Sequence, residues 1–478
     1  MAQVFSHATR MQLVWTCLPS LMWLAAAPLS VLWGQPIENR KYGQEDKFRQ
    51  LEELLPTPNN YRSAAGEAGP DYWQQRCDYT IDVKLDDAQQ RIHGRQQLTY
   101  YNHSPHTLRY LWLQVDANIF RPDSDANLLR EFSPSGRISI EDIQRMQAQA
   151  SFDGGANITR VADSYGQALE FTIVKTMMRV ELPQPLSPGE SFRFETEWDY
   201  QINDSKVAPG RTGCEYFEAD KNYIYEIAQW FPRMVAYTDA NGWQHKQFLG
   251  RGEFTLELGD YLVRISVPSD HIVAATGVLQ NSGEVLTVRQ RERLAQARTA
   301  AHPMFIVTPD EAAKNEQASN DKAAETSYKT WVFHAQNVRD FAWASSRKFV
   351  WDAQGHDIEG NSVMAMSYYP NPTAISVNGP IYGMEYPMIC FNGPRPDEDG
   401  TYTARTKYGL ISVIIHEVGH NYFPMIVNSD ERQWSWMDEG LNTFLQYLAE
   451  CEWEENYPST RGNYGLHGQP PTSAHHDQ

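Results

Sequence analysis

His416-Glu417-Val418-Gly419-His420 is the stretch of this chain best equipped for chemistry, together with Glu439, which eighteen residues separate from His420. Four residues along an α-helix is a little over one turn, so the two histidines project from one face, about 6 Å apart along the axis. Two imidazoles there can grip one metal ion, and Glu439 offers a third ligand. Zn2+, one per chain, keeps a fourth position open when it has three protein ligands. It lowers the pKa of bound water to about 7. Glu417 lies about 100° around the helix from His416, beside the metal rather than on it. It is placed to take the water's proton and later deliver it to a leaving amine. The pattern therefore implies metal-assisted hydrolysis. The competing reading is a hydrogen-bonded polar cluster on a buried helix; a glutamate at the right distance weighs against it.

Two helices must position these residues. Residues 409–415 (Gly-Leu-Ile-Ser-Val-Ile-Ile) form an apolar run into the histidines. Alone it reads equally as a buried strand; the metal spacing favours a helix, which Pro424 should stop. The second helix is marked by Leu441, Phe444, Leu445 and Leu448 at i, i+3, i+4, i+7. Ser435 with Asp438 three residues on predicts an N-terminal capping box. Glu439 then falls in the first turn, pointing at the first helix, and Gly440 allows close approach of the backbones. Asp438 is a candidate second acceptor behind a ligand histidine, with helix capping as the alternative.

With Glu439 inside Trp436-Met437-Asp438-Glu439-Gly440, the His416–His420 motif resembles the gluzincin aminopeptidases, the family of membrane alanyl aminopeptidase and leukotriene hydrolase. Tyr382-Gly383-Met384-Glu385-Tyr386, about 30 residues before His416, resembles that family's Gly-x-Met-Glu-Asn exopeptidase motif, with tyrosines at the first and last positions. The likeness extends through Val338-Arg339-Asp340-Phe341-Ala342-Trp343 and is expected to cover 70 to 460. It implies that Glu385 binds the free α-ammonium of a peptide through a charge-assisted hydrogen bond. It implies that Gly383 and Met384 line a strand edge along which the substrate backbone lies. The family also brings a glutamine to the ammonium. Gln229, in Ala228-Gln229-Trp230-Phe231-Pro232-Arg233, is the candidate here, with a buried structural amide as the alternative.

The implied fold is multidomain: an N-terminal all-β, saddle-like domain followed by a thermolysin-like α+β metallopeptidase domain, incomplete at its C-terminus. The implied activity is removal of N-terminal residues from peptides with a free N-terminus. The family stabilises the oxyanion with a tyrosine well downstream of the third ligand. Tyr457 and Tyr464 follow Glu439, neither in a segment like the family's, and the chain ends 39 residues after Glu439. A truncated chain is therefore the expectation, and losing an oxyanion donor typically costs about 10^2 to 10^3 in rate. Two alternatives stay open: a thermolysin-type endopeptidase without an amine anchor, and an impaired homologue acting as a binding module.

The remaining sequence bounds the setting. A net charge of −19 with no basic block excludes a nucleic-acid binder. Hydrophobic content of 41% and aromatic content of 12% suit a sizeable core. Residues 1–35 read as a signal peptide or membrane anchor: Arg10 precedes the mostly apolar 11–33, with Ala25-Ala26-Ala27 as a small-residue cleavage region. Export is the expectation either way. Cys77, Cys214, Cys390 and Cys451 show no metal spacing, and in an exported protein two of them could pair. Asn102, Asn157 and Asn203 open glycosylation sequons.

The domain plan is a polar lead-in at 36–70, a β-rich domain at 71–308 and a charged loop or linker at 309–327. The zinc catalytic domain follows at 328–460, and a disordered tail at 461–478. Period-two alternation marks strands at Tyr79–Leu85 and Phe254–Leu258. In the catalytic domain the pattern predicts strands at 330–334 and 362–367 and a helix from Val338 to Phe349.

Overall fold

The computed structural model describes residues 58–129, 138–250, 252, 255–320, 327–370, 377–397 and 399–459. They fall in one compact unit beginning at Pro58. The leader at 1–35, most of the polar lead-in and the tail with Tyr464 lie outside the described residues. Among the described residues no helix is long and apolar enough to cross a membrane.

The architecture is mixed and sheet-rich. Its largest layer is a seven-stranded sheet in the order 278–279, 328–338, 259–268, 76–86, 91–101, 191–201, 157–163. Arg76–Asp86 and Arg91–Tyr101 form an antiparallel hairpin in unbroken register, Tyr79 opposite Leu98. Alternate side chains of Arg76–Asp86 are buried, as the period-two pattern at 79–85 predicts. Gly94 makes room for the side chain of its cross-strand partner: a Cβ there would lie 2.3 Å from the Trp198 ring on the neighbouring strand. A four-stranded sheet (233–234, 108–114, 177–186, 171–174) and a second one (272–275, 343–346, 222–227, 213–217) adjoin it. Buried tryptophans tie backbone to backbone across the core. Trp198 Nε1 donates to the Trp230 carbonyl at 2.8 Å, and Trp230 Nε1 to that of Phe341 at 2.9 Å.

Several expectations give way. Residues 328–338 do not open a separate catalytic domain; they pair with 259–268 inside the large sheet. Val338–Phe349 is not a helix: Trp343–Ser346 is a strand between 272–275 and 222–227. All four of its residues are buried, and a short run buried on both faces carries no period by which to tell strand from helix. The charged segment at 309–327 is not a loop over its first part, because Pro309–Asn320 is a helix. Its start was legible: Thr308 and Glu311 bond each other's backbone N–H, and Pro309 follows the cap. Glu316 then docks it on Lys348 at 2.6 Å. Thr255–Leu258 contributes only an isolated bridge, Leu256 to Val235. The four described cysteines are free. Asn102 and Asn203 are buried and bonded within the fold, so only the Asn157 sequon is exposed.

The last elements carry the candidate site. A small sheet orders 377–378, 389–392 and 383–386, with Gly383–Tyr386 at its edge. The His helix, Ala404–Gly419, packs on it. Thr403 caps that helix by accepting the Thr406 N–H at 3.1 Å. It stops before Pro424. The Glu helix, Glu439–Trp453, packs on the His helix.

A buried ion triad joins the sheets. Arg233 lies between Asp116, at 2.6 Å, and Asp340, all three almost fully buried. Burial lifts the Asp340 carboxyl above the usual range, opposed by the Arg233 charge. Removing one member of such a group strands the others without a counter-charge. Arg233→Met should therefore lower unfolding free energy by about 3–5 kcal/mol in urea titration; a loss below about 1 kcal/mol would show that the two aspartates do not depend on it.

Candidate metal centre

His416 and His420 leave the end of the His helix with their rings perpendicular, centroids 4.6 Å apart. Their Nε2 atoms face each other at 3.0 Å. Glu439 Oε2 lies 3.0 Å from His416 Nε2 and 4.0 Å from His420 Nε2. The rear nitrogens are committed. His416 Nδ1 is 3.0 Å from Gln446 Oε1. The amide orientation is set in turn, because Gln446 Nε2 donates to Glu450 Oε1 at 2.7 Å. His420 Nδ1 is 2.7 Å from the Phe423 carbonyl and 2.9 Å from Asp438 Oδ1. Each of these partners only accepts, so each imidazole carries its proton on Nδ1. Neither Nε2 then has a proton to offer. Three lone-pair donors converge on one point, an arrangement a cation relieves. Tetrahedral zinc with bonds of about 2.0–2.2 Å needs such atoms about 3.3–3.5 Å apart, so the set fits that ion with a slight opening of the imidazole pair.

The remaining site residues surround this triad. Glu417 is buried, and ligand atoms of Glu385, Glu417 and His420 all lie within 4.8 Å of one another. Gly383 sits directly against Glu417: a Cβ there would stand 2.9 Å from Glu417 Oε1. The side chain missing at 383 thus makes room for Glu417. Met384 and Glu385 are buried. Glu385 with Glu431 and Asp438 forms a second close group of carboxylates, again within 4.8 Å. Asp438 does not cap the Glu helix with its side chain. The capping box from Ser435 is not formed either, because Ser435–Met437 is a turn of 3-10 helix.

Gln229 is placed differently. It is buried, holds the left-handed φ of +55°, and its Nε2 has no hydrogen-bond partner among the described residues. It lines a cavity of about 610 Å3 with Phe120, Phe152, Phe248, Arg121 and Arg211. None of the three metal donors belongs to that wall. Tyr457 hydrogen-bonds Ser412 and the Tyr408 carbonyl, bracing the far end of the helix pair.

The polar residues behind the histidines escaped sequence reasoning. Asn442, Gln446 and Glu450 are buried at i, i+4, i+8 of the Glu helix. Asn442 Nδ2 donates to the His416 carbonyl at 2.7 Å, and Ser412 Oγ to Glu450 Oε1 at 2.7 Å. Their spacing is the available signal, but the apolar stripe overshadowed it. That stripe is the outer face: Phe444 is 57% exposed and Leu448 47%.

Glu226 was missed too. It is fully buried on strand 222–227 and accepts the Ile381 N–H at 2.7 Å, bracing the approach to Gly383. Burial pushes its carboxyl well above the usual range, against the pull of that N–H and of Arg395. The folded chain therefore keeps this proton at pH values where the unfolded chain, with an ordinary carboxyl near about 4.3, has lost it. Unfolding free energy falls as pH rises through that window. Glu226→Gln should match wild type near pH 4 and become progressively more stable than wild type towards neutral pH, as followed by thermal unfolding. A difference that does not change with pH would show that Glu226 does not carry the proton.

No known family's sequence model matches this chain, and no curated protein matches it. Among solved structures it is similar to an M1 zinc metallopeptidase from Deinococcus radiodurans, at 14% identity over 80% of this chain and 71% of that one, with a TM-score of 0.44. A mutant of that metallopeptidase bound to a Tyr-Ser-Ala substrate gives 13% identity over 80% and 72%, again with a TM-score of 0.44. The chemistry of the site is read from its own side chains, to which a likeness this distant adds nothing.

Proposed function

We propose that this chain is a zinc-dependent peptidase of the aminopeptidase type. The observation that carries the reading is the convergence of His416 Nε2, His420 Nε2 and Glu439 Oε2, with both Nδ1 protons already committed. These three residues would hold one Zn2+, which when bound supplies Lewis-acid polarisation and acidifies water. Glu417 takes the proton of the attacking water and returns it to the departing amine. Gln446, Asp438 and the Phe423 carbonyl keep the two imidazoles in the tautomer that leaves Nε2 open.

The amine selectivity rests on Glu385. Its carboxylate lies within 4.8 Å of that of Glu417. Two carboxylates this close repel unless a cation joins them, and a substrate α-ammonium is such a cation. Gly383–Tyr386 is an edge strand, so an extended peptide can add along it, with its first amine at Glu385. The endopeptidase alternative has no use for a buried carboxylate there. Export of the chain belongs to the same proposal and rests on the 1–35 leader pattern.

Glu417→Gln should keep zinc at one per chain by metal analysis and lose essentially all hydrolysis of peptide substrates. Loss of zinc together with turnover would remove Glu417 from the role of base. Glu385→Ala should raise KM for a free-amine peptide while zinc affinity stays within about two-fold of wild type. In wild type the N-acetylated form of that peptide should be cut at least about 100-fold more slowly. Equal rates on the two forms favour the endopeptidase.

A further inference from the structure

We infer that Arg339 is a positioning residue for the metal ligand His420, acting through Glu431 and the loop between them. It is 3% exposed and sits just past strand 328–338 of the large sheet. Its guanidinium reaches across to the loop that follows His420. Nη2 pairs with the buried Glu431 carboxylate. Nη1 donates to the Pro424 carbonyl at 3.3 Å and to Asn428 Oδ1 at 3.2 Å. Behind it, the Arg339 carbonyl accepts from Tyr261 OH at 3.4 Å, anchoring the clamp to the sheet.

The clamp bears on the metal centre in two ways. The first is steric. The Phe423 carbonyl, next to the clamped Pro424, receives the His420 Nδ1–H at 2.7 Å. Holding the 424–431 segment therefore holds the acceptor that sets this ring's tautomer and orientation. The second is electrostatic. Glu385, Glu431 and Asp438 are all buried, with carboxylate oxygens within 4.8 Å of one another. Three such charges stay together only with a compensating cation, and Arg339 supplies one. Asp438, a member of this group, has its Oδ1 2.9 Å from His420 Nδ1. A cavity of about 20 Å3 lined by Arg339, Met384, Glu385, Pro424 and Glu431 leaves room for one water among these groups. The planar fork of arginine is what lets one side chain reach a carboxylate, a carbonyl and an amide together.

The inference rests on the zinc reading above, and the test separates the two. Full-length wild type, Arg339→Met and the double variant Arg339→Met/Glu431→Met are compared by zinc affinity in chelator competition, by the visible spectrum of the Co2+ form and by thermal unfolding. Replacing a whole buried pair with apolar residues leaves stability near wild type in many proteins, so the double variant isolates positioning from folding. The expected result is zinc binding weakened about 10–100-fold in folded variants, with a shifted Co2+ spectrum. Wild-type zinc affinity and an unchanged spectrum in a folded variant overturn the inference alone. A wild-type chain that binds no zinc removes the zinc reading and this inference with it. Should both methionine variants fail to fold, Arg339→Lys, which keeps the charge and loses the fork, carries the test with the same outcomes.

Discussion

The commitment of two Nδ1 protons organises the rest of this site. Once Gln446 Oε1 accepts the Nδ1–H of His416, and the Phe423 carbonyl with Asp438 accepts that of His420, both front nitrogens are left as acceptors facing a carboxylate oxygen. Such a cluster is costly by itself and useful around a cation. Much of the surrounding structure serves this tautomer choice. The buried stripe of the Glu helix holds the first acceptor, and the loop after His420 holds the second.

This explains an inversion in the Glu helix. Amphipathic helices ordinarily bury their apolar stripe. Here Asn442, Gln446 and Glu450 turn inward, and Phe444 and Leu448 turn out. The inward polar groups satisfy one another and the His416 backbone in a connected chain that reaches Ser412 and Tyr457. A buried network of this kind is worth keeping only when its members are paired, and it ends at His416 of the candidate metal centre.

Long-range charge pairs connect the sheets to this small helical region. Arg233 bridges Asp116 and Asp340 inside the sheet layers, and the neighbouring Arg339 bridges to Glu431. Adjacent residues of one short segment thus reach in two directions, one into the core and one towards the loop after His420. Gly383 adds a contact of another kind, since its missing Cβ leaves room for Glu417. The edge strand, Glu417 and the His helix are therefore set against one another by packing as well as by charge.

The sequence by itself brought out His416, Glu417, His420 and Glu439 as candidate site residues, and the two helices that carry them. Those features are local: a four-residue spacing maps directly onto one helical face. It also carried the strand at 79–85, where the period-two alternation is itself the signal. Only the tertiary structure decided which face of the Glu helix is buried, and that Trp343–Ser346 is a strand rather than part of a helix. It alone placed Tyr328–Val338 in the large sheet and brought Arg339 to Glu431 and Glu226 to Ile381 across 92 and 155 residues. The reason is physical. Periodicity reports neighbours along one element, while a buried charge or amide is explained only by its partner, and chain separation says nothing about where that partner lies.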